Sequence, residues 1–136
     1  MTVYLAGSIE GISLVEAMEW RETATNFLVD HGIKTLDPTR RKKFHDQEYS
    51  KNLANKIVRM DMNDIQNSNV VLMNLKDRGR GKAWGTICEL ILANQQGKTI
   101  IVVLEEGFKH PFIDVFATEI HHTLESALDA TLAYYG

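Results

Sequence analysis

The chain is short of several things that would announce a function. Among 136 residues there is one cysteine, Cys88, so no internal disulfide forms and stability must come from a packed core. No stretch approaches the roughly 20 apolar residues of a membrane-spanning helix. Positive charge is not in excess: 15 Lys and Arg stand against 18 Asp and Glu, a net of -3. A duplex-binding protein normally carries a strong positive field, so neither nucleic acid nor a membrane is an expected partner. Met1 leads directly into a strand-like segment without a signal-peptide pattern, which predicts a cytoplasmic location. His45, His110, His121 and His122 are scattered, and adjacent histidines on a helix point in different directions. No metal site and no cofactor are expected. Cys88 has no histidine in sequence relation to it and reads as a buried spectator.

What is present is ordinary for a globular protein: 44% apolar and 24% charged residues, at a length that suits a single domain over 1–136. Thr2 to Ala6 reads as a buried strand, broken at Gly7-Ser8-Ile9-Glu10-Gly11. Ser13 with Glu16 predicts a helix start, and Ala17, Trp20, Ala24, Phe27 and Leu28 share its inner face as far as a stop at Gly32. A second strand, 33–36, ends at Asp37-Pro38. Residues 39–52 form the least core-like stretch, a loop or lid. A helix is expected from Leu53 to Gln66, a strand from Val70 to Leu75, a helix from Glu89 to Gln96 and an apolar, β-branched strand from Thr99 to Leu104. The stripe Phe116, Ile120, Leu124 and Leu128 predicts one last helix over about 114–131. Strand–helix alternation implies an α/β three-layer sandwich. Its sheet is expected to be five-stranded, mostly parallel and flavodoxin-like (Rossmann-like).

The chemistry concentrates around Glu89, in Trp84-Gly85-Thr86-Ile87-Cys88-Glu89-Leu90. This segment follows a buried strand and a polar loop, where open α/β sheets bind ligands. A carboxylate in the first turn of a helix is held anionic by the positive helix end, which suits a nucleophile. Thr86 and Glu89 also match a plain capping box, and the pattern alone leaves both readings open. The preceding loop, with Arg78, Gly79, Arg80, Gly81 and Lys82, is richer in glycine and positive charge than a cap requires. Asp64 and, one turn earlier, Asp61 precede the same strand. Gly79, Gly81 and Gly85 lack the Gly-Lys-Ser/Thr ending of a phosphate-binding loop, and Gly7 to Gly11 is no dinucleotide fingerprint. Phosphate-transfer and redox readings therefore lack their motifs.

Four segments in order resemble the nucleoside 2-deoxyribosyltransferases and the related 2'-deoxynucleoside 5'-phosphate N-hydrolases. They are Tyr4-Leu5-Ala6-Gly7-Ser8-Ile9, Asn63-Asp64-Ile65, Asn69-Val70-Val71 and Gly85-Thr86-Ile87-Cys88-Glu89-Leu90. The resemblance implies N-glycosidic bond cleavage through a covalent deoxyribosyl-glutamate, with release of free base to water or transfer of the sugar to another base. It implies Glu89 as the nucleophile, Asp64 as the acid near the leaving base, and Tyr4 as the residue orienting the nucleophile. Gly7, Ser8, Ile9 and Gly11 would line the sugar and any 5'-phosphate, with Gly85 and Thr86 beside them. A neighbouring subunit would complete the site from about Ile113-Asp114, which implies a homodimer or higher homo-oligomer with shared sites. The transferase branch has an aspartate where Ala83 stands. The hydrolase branch has a phosphate-binding serine there, and an arginine where Glu10 stands. Arg78, Arg80, Lys82 and Trp84 are the candidates to recognise substrate instead. Arg40 and Arg41 could add to a field for a phosphorylated substrate. The competing reading is a non-catalytic nucleotide-binding or sensing module.

Overall fold

The structure, a computed structural model, describes residues 1–9, 13–76 and 83–134, without the side chains at 42 and 45. Its centre is a sheet of β1 (Thr2–Gly7), β2 (Lys34–Leu36), β3 (Val70–Asn74), β4 (Thr99–Val103) and β5 (Glu119–His121). The spatial order is β2-β1-β3-β4-β5 and every pairing is parallel. This is the flavodoxin-like order, whose direction reverses between β1 and β3.

Side chains alternate across these strands and so build two cores. Val3, Leu5, Val70, Leu72, Ile101 and Val103 pack under α1 (Leu14–Asp30) and α6 (Leu124–Ala133). Tyr4, Ala6, Val71, Met73, Ile100 and Val102 pack under α4 (Trp84–Gln95), with Ile65 of α3 (Lys51–Gln66) and Ile113 of α5 (Pro111–Phe116). The expected caps are present at α1, where the Ser13 hydroxyl accepts from the Glu16 amide at 3.1 Å. Gly32 and Gly97 stop their helices at φ of +76° and +70°, a region costly for other residues.

Three boundaries differ from the expectation. The segment 39–52 holds a 3-10 turn (Pro38–Arg40) and the short α2 (Lys42–His45), and α3 starts at Lys51 because Ser50 caps it. The helix bearing Glu89 begins at Trp84, five residues early. The single C-terminal helix is instead α5, β5 and α6. In β5 only Ile120 is apolar, between Glu119 and His121, so the spacing of Phe116, Ile120 and Leu124 imitates a helix. Pairing to β4 overrides it: Ile101, Val102 and Val103 align with Glu119, Ile120 and His121. No helix among the described residues is long and apolar enough to cross a membrane.

Candidate active site

A cavity of about 650 Å³ opens at the carboxyl ends of β1 and β3, where the strand order reverses. Such volumes are typical of small-molecule sites. One wall is the exit of β1, Gly7, Ser8 and Ile9. A second is α3, presenting Leu53, Ile57, Val58 and Asp61. The third is α4, presenting Gly85, Thr86 and Glu89, and Phe44 and Tyr49 close the side toward residues 39–52. Gly7 is demanded by packing, since a Cβ there would lie 2.9 Å from the Trp20 ring and 3.2 Å from the Asn74 carbonyl oxygen. A Cβ at Gly85 would meet nothing within 4 Å.

Tyr4 lies mid-strand on the α4 side of the sheet, and its buried hydroxyl donates to Glu89 Oε2. Glu89 occupies the second turn of α4, and the helix is capped at Ala83 without a side-chain bond. Thr86 lies inside the helix rather than at its cap, which removes the capping-box reading. The expectation of a helix end holding the carboxylate ionised is also overturned. Burial pushes Glu89 up to about 8, Asp61 adds to the rise, and the Tyr4 hydrogen bond and the Arg21 cation only partly oppose it. Burial likewise raises Asp61 to about 6, against the pull of Arg41. Both carboxyl groups line the cavity, and the Asp61 charge disfavours ionisation of Glu89. Tyr4 rises well above its ordinary range, chiefly from burial and then from Glu89.

Asp64 does not line this cavity. It is buried and held by both side chains of the Arg40-Arg41 pair, with Arg40 Nη2 at 3.0 and 2.8 Å from its two oxygens. On a helix, three residues turn a side chain most of the way round, but packing decides which carboxylate faces the void. Asp61 faces it, and Asp64 neutralises the arginines that follow β2. Arg40 and Arg41 are thereby committed to carboxylates, Arg41 Nη1 also lying 3.6 Å from Asp61.

Of the other sequence candidates, Ser8, Ile9 and Thr86 line the cavity together with Gly7 and Gly85. The Ser8 hydroxyl is buried with no hydrogen-bond partner among the described residues, an arrangement folded proteins rarely leave unexplained. Trp84 is 77% exposed and Asp114 is exposed in the first turn of α5; neither lines the cavity. Gly11, Arg78, Arg80 and Lys82 lie outside the described residues. Cys88, expected to be buried, is exposed. Arg21 is the residue that sequence reasoning missed. It is 0% exposed on the inner face of α1. The available signal was a charged residue at the core spacing Ala17, Arg21, Ala24, Leu28.

Comparison with known proteins bears on the fold and the family. No curated protein sequence matches the chain. Solved structures do match in fold. A 2-deoxyribosyltransferase from Bacillus psychrosaccharolyticus superposes with a TM-score of 0.74 at 17% identity, covering 97% of this chain and 96% of that one. The CMP N-glycosidase BcmB of Clostridium botulinum gives 0.63 at 15% identity, with 96% and 98% covered. A conserved protein from Enterococcus faecalis V583 gives 0.66 at 13% identity, with 95% of each chain covered. The family described as nucleoside 2-deoxyribosyltransferase like matches residues 1–108. With that match over most of its length, the chain belongs to the nucleoside 2-deoxyribosyltransferase-like family.

Proposed function

We propose that the protein cleaves the N-glycosidic bond of 2'-deoxynucleosides or their 5'-monophosphates, with Glu89 as nucleophile. The observation that carries this reading is the Tyr4–Glu89 hydrogen bond at the wall of a nucleoside-sized cavity, with Asp61 as a second carboxyl group on the same cavity. Retaining glycoside cleavage requires that pairing of acid and nucleophile. Asp61, rather than Asp64, takes the role of acid. In the reactive form Asp61 is protonated and Glu89 carries the charge. Glu89 attacks C1' as the C1'–N bond breaks, and Asp61 delivers its proton to the departing base. The resulting deoxyribosyl ester of Glu89 is opened by water, with Asp61 as base, or by a nitrogen of a second base. Positive charge on the sugar in the transition state is stabilised by the fixed anion.

The Ser8 hydroxyl, buried and without a partner among the described residues, is suited to a sugar or phosphate oxygen. The described lining carries Asp46, Asp61 and Glu89 and no lysine or arginine, which favours the neutral nucleoside over its monophosphate. Arg78, Arg80 and Lys82 remain the candidates for a phosphate. The test is release of free base from each common nucleoside and its monophosphate, with and without an acceptor base. Release by Glu89→Ala at the wild-type rate would remove Glu89 from the mechanism. No release from any of them would leave a binding or sensing module as the better reading.

Exposed apolar side chains on α3, α4 and α5, among them Met62, Trp84, Phe112 and Val115, suit burial against a second copy. Asp114 would enter the site of that copy. Light scattering checks this: a homodimer or larger assembly is expected, and a monomer would end it.

A further inference from the structure

Arg21 is the one fully buried cation in the described core, and nothing in the chemistry above uses it. Burying an isolated charge is expensive unless its donors are paired. Its pairing follows from how the sheet is cut. Carbonyl directions alternate along β1: Met1 O accepts from Lys34 at the start of β2, and Thr2 O accepts from Asn69 on the β3 side. The carbonyls of Leu5 and Gly7 therefore face the β2 edge. But β2 ends at Leu36, opposite Tyr4, so no strand remains to meet them. The guanidinium of Arg21 fills that place, with Nε donating to Leu5 O at 3.2 Å and Nη2 to Gly7 O at 2.9 Å. Nη1 donates to Ala17 O at 2.6 Å, Asp37 Oδ1 lies 3.8 Å from Nε, and the Trp20 ring centroid is 4.7 Å away. The two carbonyls bracket the end of the strand that carries Tyr4 and runs into the cavity wall at Gly7 to Ile9.

We propose that Arg21 is a positioning residue for Glu89: a buried guanidinium that stands in for the missing end of β2, fixes the Tyr4–Ile9 segment, and sets a positive charge behind the nucleophile. This rests on the reading of Glu89 as nucleophile. The groups that act on the Glu89 charge are Tyr4 from β1 by its hydrogen bond, and Asp61 and Asp64 from α3 and Arg21 from α1 through their fields. Arg40 and Arg41 in turn face the two aspartates. Of these groups, the Arg21 cation and the Tyr4 hydrogen bond favour the ionised form of Glu89; the aspartates oppose it. A lysine keeps the charge but cannot fork across two carbonyls, and a methionine keeps roughly the length but no charge.

The experiment compares wild type, Arg21→Lys and Arg21→Met by base release between pH 5 and pH 9. In parallel, the Glu89 carboxyl is titrated by carbon-13 NMR and assigned by its absence in Glu89→Gln. Circular dichroism and thermal melting report the folded fraction. In Arg21→Lys, kcat is expected to fall on the order of 10²-fold, as for small misplacements remote from the chemistry, with KM little changed. In Arg21→Met, the Glu89 midpoint and the rising limb of the rate profile both move to higher pH. The proposal is overturned by wild-type kcat in Arg21→Lys, by a loss no larger than the loss of folded protein, or by an unmoved Glu89 midpoint in folded Arg21→Met. If Arg21→Met does not fold, the Arg21→Lys result decides. Should Glu89→Ala retain activity, the nucleophile assignment fails by itself, and the NMR midpoint still decides whether Arg21 acts on Glu89.

Discussion

Two glutamates in this molecule each accept a hydrogen bond from a tyrosine, and they respond in opposite directions. At the β4–β5 edge, Glu119 takes a bond from Tyr134 at 2.6 Å and another from His121 at 3.0 Å. Both bonds favour the carboxylate and hold Glu119 below its ordinary range. At the β1–β3 switch point, Glu89 takes a bond from Tyr4 and is nevertheless pushed up to about 8. The difference is water. Glu119 lies at the surface, whereas Glu89 is half-buried on a cavity wall that Asp61 also lines, where desolvation and like charge outweigh one hydrogen bond. The same pair of side chains is a surface tie in one region and a proton-retaining pair on the cavity wall in the other.

Glu89→Ala gives the sharpest break of this comparison. Base release is expected to fall on the order of 10⁴-fold or more, as when a nucleophile is removed. Glu119→Gln should leave the rate unchanged; equal losses at both sites would show that the cavity setting does not distinguish Glu89 from a surface glutamate. Asp61→Asn comes next, with a loss of roughly 10²- to 10⁴-fold from the missing acid. Its residual activity carries the direction of the coupling. Removing the Asp61 charge lowers the Glu89 pKa, so the rising limb of kcat/KM moves to lower pH. A limb that stays in place or moves up contradicts the coupling. Asp64→Asn, one turn away but outside the cavity, is expected to affect stability more than rate.

Tyr4→Phe removes a bond that favours ionised Glu89 and holds it in line. A loss of about 10²-fold is expected, with the rising limb displaced upward, while Tyr134→Phe changes neither. The smallest effect is on stability. From the ordinary glutamate range up to about pH 8, the unfolded chain has released the Glu89 proton that the folded protein retains. Glu89 therefore makes the fold less stable as pH rises through that window. Glu89→Gln abolishes this slope and should melt roughly 4 °C or more above wild type at pH 8. The gap should narrow toward pH 5. A parallel pH dependence in the two proteins would mean that Glu89 is not enclosed in solution.

The strand–helix alternation, the buried β-branched runs and the carboxylate beyond β3 were legible because they depend on local pattern. Residues 99–104 can do little except form a buried strand. That Tyr4 pairs with Glu89 was legible only through resemblance, since 85 positions separate them. The short β5 was not legible: three residues hold too little pattern to outweigh a helical spacing that spans them. Nor was the start of α4, because a helix capped without a side chain leaves no mark.

The sequence by itself determined the order of elements, the two apolar faces of each strand and the residue types from which a glycosidic site could be assembled. Tertiary structure alone decided which of two carboxylates on α3 meets the cavity, how far burial lifts Glu89, and that Arg21 completes a strand edge from inside the core. Periodicity is a property of neighbours along the chain. Desolvation and long-range pairing depend on what other segments bring to the same place, and only the folded sheet fixes that.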